Sequence, residues 1–188
     1  MIKRDLFSKR KLTTYINEFD RIVSQLIKSK ENINAKWGTI LTKDIESSKS
    51  KVFHTHTVQS YSAKMLSMIL NKKLLDIIEL LIGPDIILHH SKLFFKPPLI
   101  GAAFPLHQDW SYFPTKKDTM IAAVIHLSKS DEEMGCFRII PKSHHLGKIN
   151  NSDGHTYNKK IHQRYQLDDA LPIIAKAGDV LFFDARTI

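Results

Sequence analysis

His107 and Asp109 stand two residues apart in the stretch LHQDWSYFP, crowded by Trp110, Tyr112 and Phe113. A carboxylate drawn out of water beside aromatic rings must find a partner or take up a proton. Two arrangements meet that need. The pair can be a hydrogen-bonded structural motif in which Asp109 caps a turn, or it can be two ligands of one metal ion. On an extended strand, alternate side chains share a face, so His107 and Asp109 would point together and Gln108 away from them. A neutral imidazole and a hard carboxylate oxygen, joined by a second histidine, make the 2-His-1-carboxylate face that suits Fe(II) and leaves coordination positions open. The spacing alone is common and does not choose between the two.

No other histidine carries a pattern that marks it as the missing ligand. His54 and His56 in FHTHT have strand-like spacing, and His126 in AAVIHLS is placed to turn inward. His89, His90, His144, His145, His155 and His162 read as surface or hydrogen-bonded residues. An H-E-x-x-H or cysteine-rich pattern, which a zinc hydrolase would need, does not occur. The formal charge of +9 comes from lysines scattered through the chain, a pattern of solvated surface rather than of a nucleic-acid-binding arm, so no nucleic-acid partner is expected. The most apolar stretch, Leu74 to Ile82, contains Asp76 and Glu79, so no membrane span is expected. The basic start MIKRDLFSKRK lacks the apolar core of a secretory signal, and the single Cys136 excludes an internal disulfide. Both features suit a cytoplasmic compartment. Cys136 itself reads as a small buried strand residue with no nucleophilic role.

The elements that would position this chemistry fall into two textures. Ile16, Phe19, Val23, Leu26 and Ile27 recur at helical spacing over Thr14 to Ile27, with Thr13 or Thr14 as cap. After polar text from Lys28 to Lys36 and an unassigned stretch from Trp37 to Val58, helices are expected over Ser60 to Leu70 and Leu74 to Ile82. Asn71 caps the second and Gly83-Pro84 stops it. Beyond Pro84 the runs DIILHHSKLFFKPP, TMIAAVIHL, GCFRIIP, PIIAKAG and DVLFF read as short strands bounded by Gly, Pro or Asp. Helices first and strands afterwards point to an α+β or mainly β domain with a helical layer on one side. A polar insert from Lys142 to Leu171 has the length of a lid or a disordered loop.

Four stretches in one order resemble the phytanoyl-CoA dioxygenase family of Fe(II)- and 2-oxoglutarate-dependent oxygenases. IGPDIILHHSKLFFKPP is similar to the strand that enters the family's site, and FPLHQDWSYFP to its first metal motif. MGCFRIIPKSHHLG resembles its Asn-Gly-Cys-Leu-x-x-Pro-Gly-Ser-His segment, with Met134 for Asn and Lys142 for Gly. KAGDVLFFDARTI resembles the strand that leads to the distal metal histidine. The resemblance is sharp from about Gly83 to Ile188 and loose before it. It implies one domain, with residues 1–82 as the helical layer and 83–188 as a jelly-roll core, the double-stranded β-helix shared with cupins. It makes His107 and Asp109 the first two iron ligands and places Lys92 and Gln108 beside the cosubstrate. Fe(II) and 2-oxoglutarate are the implied cofactors, with ascorbate a candidate accessory. The implied reaction hydroxylates a small organic substrate with O₂ while 2-oxoglutarate becomes succinate and CO₂. Trp110, Tyr112 and Phe113 would either wall the site or belong to the core. In the family a histidine follows the motif that here ends in Ile188, and an arginine for 2-oxoglutarate comes later, so the chain reads as C-terminally incomplete, a fragment or a truncated relative. A metal-free jelly-roll binding module is the alternative. The pattern leaves the substrate and the oligomeric state unspecified.

Overall fold

A computed structural model describes residues 1–29, 53–99, 101, 104–113, 115–149 and 159–188. The polar run 30–36, the stretch 37–52, His155 and the middle of the insert lie outside the described residues.

Helix α1 (Lys9–Lys28) starts earlier than its apolar spacing suggests, because Ser8 is the cap: its hydroxyl accepts from the Lys11 amide at 3.5 Å. Thr13 and Thr14 lie inside the helix and donate to the carbonyls of Lys9 and Arg10, each at 3.0 Å, which gives their hydroxyls a partner without ending the helix. The buried stripe is Tyr15, Glu18, Ile22 and Val23, whereas Ile27 is exposed. A buried glutamate turns the stripe. Glu18 is gripped by Arg21 at 2.6 Å and by Ser62 at 2.7 Å, with Lys64 at 3.3 Å, so α1 is tied to the start of α2 (Ala63–Ile69). Ser62 serves twice, accepting from the Met65 amide as the cap of α2. Helix α3 (Lys72–Ile82) is capped by Asn71, which accepts from Lys73 at 3.1 Å, and it ends at Gly83, whose φ of +93° a side chain would strain.

Among the described residues the strands form three antiparallel sheets. In the largest, β7 (Val180–Asp184) lies between the short β1 (Ile2–Lys3) and β4 (Ile121–Ile125), with Leu181 opposite both Ile2 and Val124. Strand β7 is apolar without alternation because both its faces are covered. Val180 and Phe182 enter the helical core with Leu6, Tyr15, Ile22, Met65 and Leu74, while Phe183 meets the Phe137 ring at 5.1 Å on the other face. Strands β2 (Phe53–His56) and β3 (Lys92–Phe95) form the second sheet, and β5 (Arg138–Ile139) and β6 (Leu171–Pro172) the third. The expected strand from Asp85 is therefore regular only at its end, and Cys136 lies half-buried before β5 rather than within a strand.

A second core gathers Leu106, Ile140, Ile161, Ala170 and Ile188. Ile161 belongs to α4 (Lys159–Arg164), so the latter part of the polar insert is a built, anchored element. Lys142, at the Gly position of the family motif, takes a left-handed turn with φ of +63° ahead of a 3₁₀ turn over Ser143–Leu146.

Candidate metal centre

His107 and Asp109 converge, though not by strand alternation. Residues 107 and 108 are irregular, and Asp109–Ser111 form a 3₁₀ turn closed by the Tyr112 amide on the Asp109 carbonyl at 3.0 Å. The turn brings His107 Nε2 to 3.4 Å from Asp109 Oδ1. The tautomer follows from the other ring nitrogen. Nδ1 lies 2.7 Å from the Pro105 carbonyl, which can only accept, so Nδ1 carries a proton and Nε2 is the ring atom turned toward the carboxylate. A cation or a proton between Nε2 and Oδ1 would satisfy both. A backbone carbonyl fixing Nδ1–H is also how a metal-binding histidine is oriented. The donor set of one imidazole nitrogen and one carboxylate oxygen fits Fe(II). Among the described residues no group of three His, Cys, Asp or Glu side chains forms a metal site.

Both ends of the motif are fastened. Leu106 enters the second core beside Ile188, and the Trp110 amide donates to the Ala185 carbonyl at 2.9 Å. Between the pair, Gln108 is fully buried. Its amide nitrogen donates to the carbonyls of Gly147 (3.0 Å) and Arg186, and its oxygen accepts from the Ile149 amide at 2.9 Å. The amide that the family resemblance sets beside the cosubstrate is thus turned onto backbone. An ionic frame surrounds these contacts. Arg186 holds Asp184 and reaches Asp118 at 3.0 Å; Lys148 pairs with Asp118 at 2.7 Å and lies 5.3 Å from the centroid of the Trp110 ring. The guanidinium beside Asp184 and the ammonium beside Asp118 lower both carboxyls against the opposing effect of burial.

Around the pair, Tyr112 sets its ring edge-on to His107 at 5.8 Å, so this aromatic walls the site. Trp110 Nε1 and Ser111 Oγ are buried without a hydrogen-bond partner among the described residues. Lys92, at the head of β3, is exposed, with Nζ 4.5 Å from the Phe94 ring centroid. Burial of its ammonium pushes its pKa below the ordinary lysine value, and the charge of Asp109 opposes that shift, which puts Lys92 within electrostatic reach of Asp109. His126 is buried but hydrogen-bonds through its amide to Asp179, away from this group.

The model of the phytanoyl-CoA dioxygenase family matches residues 1–188. The chain belongs to this family. A probable alpha-ketoglutarate-dependent hypophosphite dioxygenase of Stutzerimonas stutzeri is 36% identical over 83 residues, 44% of the chain and 28% of that protein. The human peroxisomal phytanoyl-CoA dioxygenase is 26% identical over 203 residues, 97% of the chain and 57% of that protein. The chain thus spans little more than half the length of this family member. Among solved structures, the epimerase SnoN, in complex with Fe3+, alpha ketoglutarate and nogalamycin RO, superposes with a TM-score of 0.73 at 18% identity, covering 100% of the chain and 70% of SnoN. EctD from S. alaskensis with bound Fe gives 0.73 at 16% identity, covering 100% of the chain and 64% of EctD. At such identities the likeness establishes the fold, the cupin-type jelly roll with its helical layer.

Sequence reasoning missed the ionic frame of Asp118, Lys148, Asp184 and Arg186 and the backbone ties of Gln108. Only the Asp-x-Arg spacing of residues 184 and 186 gave a local signal for them.

Proposed function

We propose that the chain forms the metal-binding half of an Fe(II)- and 2-oxoglutarate-dependent dioxygenase that hydroxylates a small molecule. The observation that carries this reading is the facing of His107 Nε2 and Asp109 Oδ1 at 3.4 Å, with Nδ1–H already committed to Pro105. His107 and Asp109 would hold Fe(II), and Lys92 would hold a carboxylate of 2-oxoglutarate. Bound Fe(II) would supply oxidation by O₂ coupled to decarboxylation of 2-oxoglutarate to succinate and CO₂.

The chain's own residues then have separate tasks. Pro105 keeps the imidazole in the tautomer that presents Nε2. Gln108 positions both ligands by clamping the loop between them. Tyr112 excludes water from the open edge of His107. This assignment takes Gln108 away from direct cosubstrate contact.

The test is Fe(II) uptake and 2-oxoglutarate-dependent succinate formation by the protein, against His107→Ala and Asp109→Ala. Both substitutions should abolish metal retention and turnover. Variants that keep wild-type metal content would refute the site, and a wild-type protein that takes up no Fe(II) would be a binding module instead.

A further inference from the structure

The β2–β3 pair has two unlike faces. Leu93 and Phe95 pack on the helical core, whereas the register that sets His54 opposite Phe94 and His56 opposite Lys92 puts these four on the other face. His90 joins them, its Nε2 lying 3.0 Å from His56 Nδ1, and the His54 and His56 rings meet edge-on at 5.0 Å. Phe113 lies 5.2 Å from His90 and 6.3 Å from Tyr112, the residue against His107. One continuous row therefore leads from the metal pair along the sheet face.

The chemistry of the row is specific. Burial pushes the His54 imidazole down to about 4 and lowers those of His56 and His90, with Lys92 adding to each effect. At neutral pH each uncharged ring of the row carries one N–H donor and one acceptor nitrogen, one N–H being spent between His56 and His90, and His54 Nδ1 is buried without a partner among the described residues. Lys92 forms no ion pair among the described residues, and the one carboxylate that acts on its ammonium is Asp109. Where Asp109 serves a metal, the counter-charge of that lysine comes from anions bound beside it, the cosubstrate carboxylate first. Hydrocarbon laid along this face would still leave an orphaned ring nitrogen unmatched.

We propose that His54, His56 and His90, with Lys92 at the inner end, bind an oxyanion group of the molecule that is oxidised: a carboxylate, phosphonate or phosphate. Its place in turnover rests on the metal-centre reading above. An ammonium with three donors can serve this group and the cosubstrate together.

Methylphosphonate serves as the probe, titrated calorimetrically into the protein with and without saturating 2-oxoglutarate. Wild type should bind it in both conditions, with 2-oxoglutarate remaining bound. His54→Phe and His56→Phe should weaken it about tenfold or more without changing 2-oxoglutarate affinity, and His54→Gln, which keeps a donor, should restore most of the loss. Unchanged melting temperatures exclude unfolding as the cause. His107→Ala should lose metal yet keep the probe, so failure of the metal reading and failure of this one look different. Competition between probe and 2-oxoglutarate would assign the row to the cosubstrate and overturn the proposal. Absence of probe binding, or histidine variants that bind like wild type, would also overturn it.

Discussion

Gln108 is the residue on which the geometry of the His107–Asp109 pair turns. Its one amide holds backbone 39, 41 and 78 residues away in sequence, at Gly147, Ile149 and Arg186. Gln108→Leu keeps the volume and deletes all of these bonds, so it should cost roughly 2–4 kcal/mol of stability. Gln108→Glu should do no better, because a carboxylate cannot donate to two carbonyls. Both variants retain His107 and Asp109, yet both should bind Fe(II) more weakly, measured by metal competition alongside thermal melting. The pairing of His107 with Asp109 was legible in the sequence because it is local. The work of Gln108 was not, since strand alternation says only that it points away and is silent about partners brought in by the chain's return.

At the level of elements, β1 is a two-residue strand that no periodicity could reveal, and its place is set by a buried carboxylate. Asp179 is fully buried; it accepts from Arg4 at 2.6 Å, from the Asp5 amide at 3.1 Å and from the Lys176 amide at 3.0 Å. Burial raises its pKa, but these donors together outweigh burial and hold it below the ordinary aspartate value. Asp179→Asn should release the segment before α1 while leaving α1 to α3 intact. Hydrogen exchange should then speed up at the Leu6 amide, which bonds the Gly178 carbonyl, more than at amides within α1. The helices were legible through Asn71 and Gly83, whose roles are local. The start of α1 was misplaced because threonine serves inside a helix as well as at its cap. Strand signals in the second half marked real strands but overextended them, since Ile and Val runs also fill the loops that line a barrel.

For the whole molecule, acid should act in two stages. His54 has a folded pKa near 4, below the ordinary histidine value, so the unfolded chain binds more protons and stability falls as pH drops from about 6.5 toward 4. Glu18 is held at about 2, chiefly by Arg21 and against burial, so its contribution is complete above about 4.5 and is lost as pH falls through 2. Melting temperatures followed from pH 7 to about pH 2 should show both declines. Glu18→Gln should flatten the lower one while costing roughly 1–3 kcal/mol at neutral pH. The overall arrangement, helices then jelly roll, was readable from texture and motif order. The burial of Glu18 was not, because a charged residue on a helix face is ordinarily solvent-facing, and only Ser62 and Lys64 from the next helix make burial tolerable.

The left-handed turn at Lys142 gives a labelling handle. Lys142 is exposed, and cysteine, unbranched at Cβ like lysine, bears a similar backbone cost there, so Lys142→Cys should fold like wild type. Burial raises the pKa of the native thiol at Cys136, so a maleimide fluorophore near neutral pH should react first at the new cysteine. The next residue, Ser143, accepts the Ile188 amide at 2.8 Å through its hydroxyl. Emission from a dye on that turn would report whether residues 187 and 188 are docked, leaving His107 and Asp109 untouched.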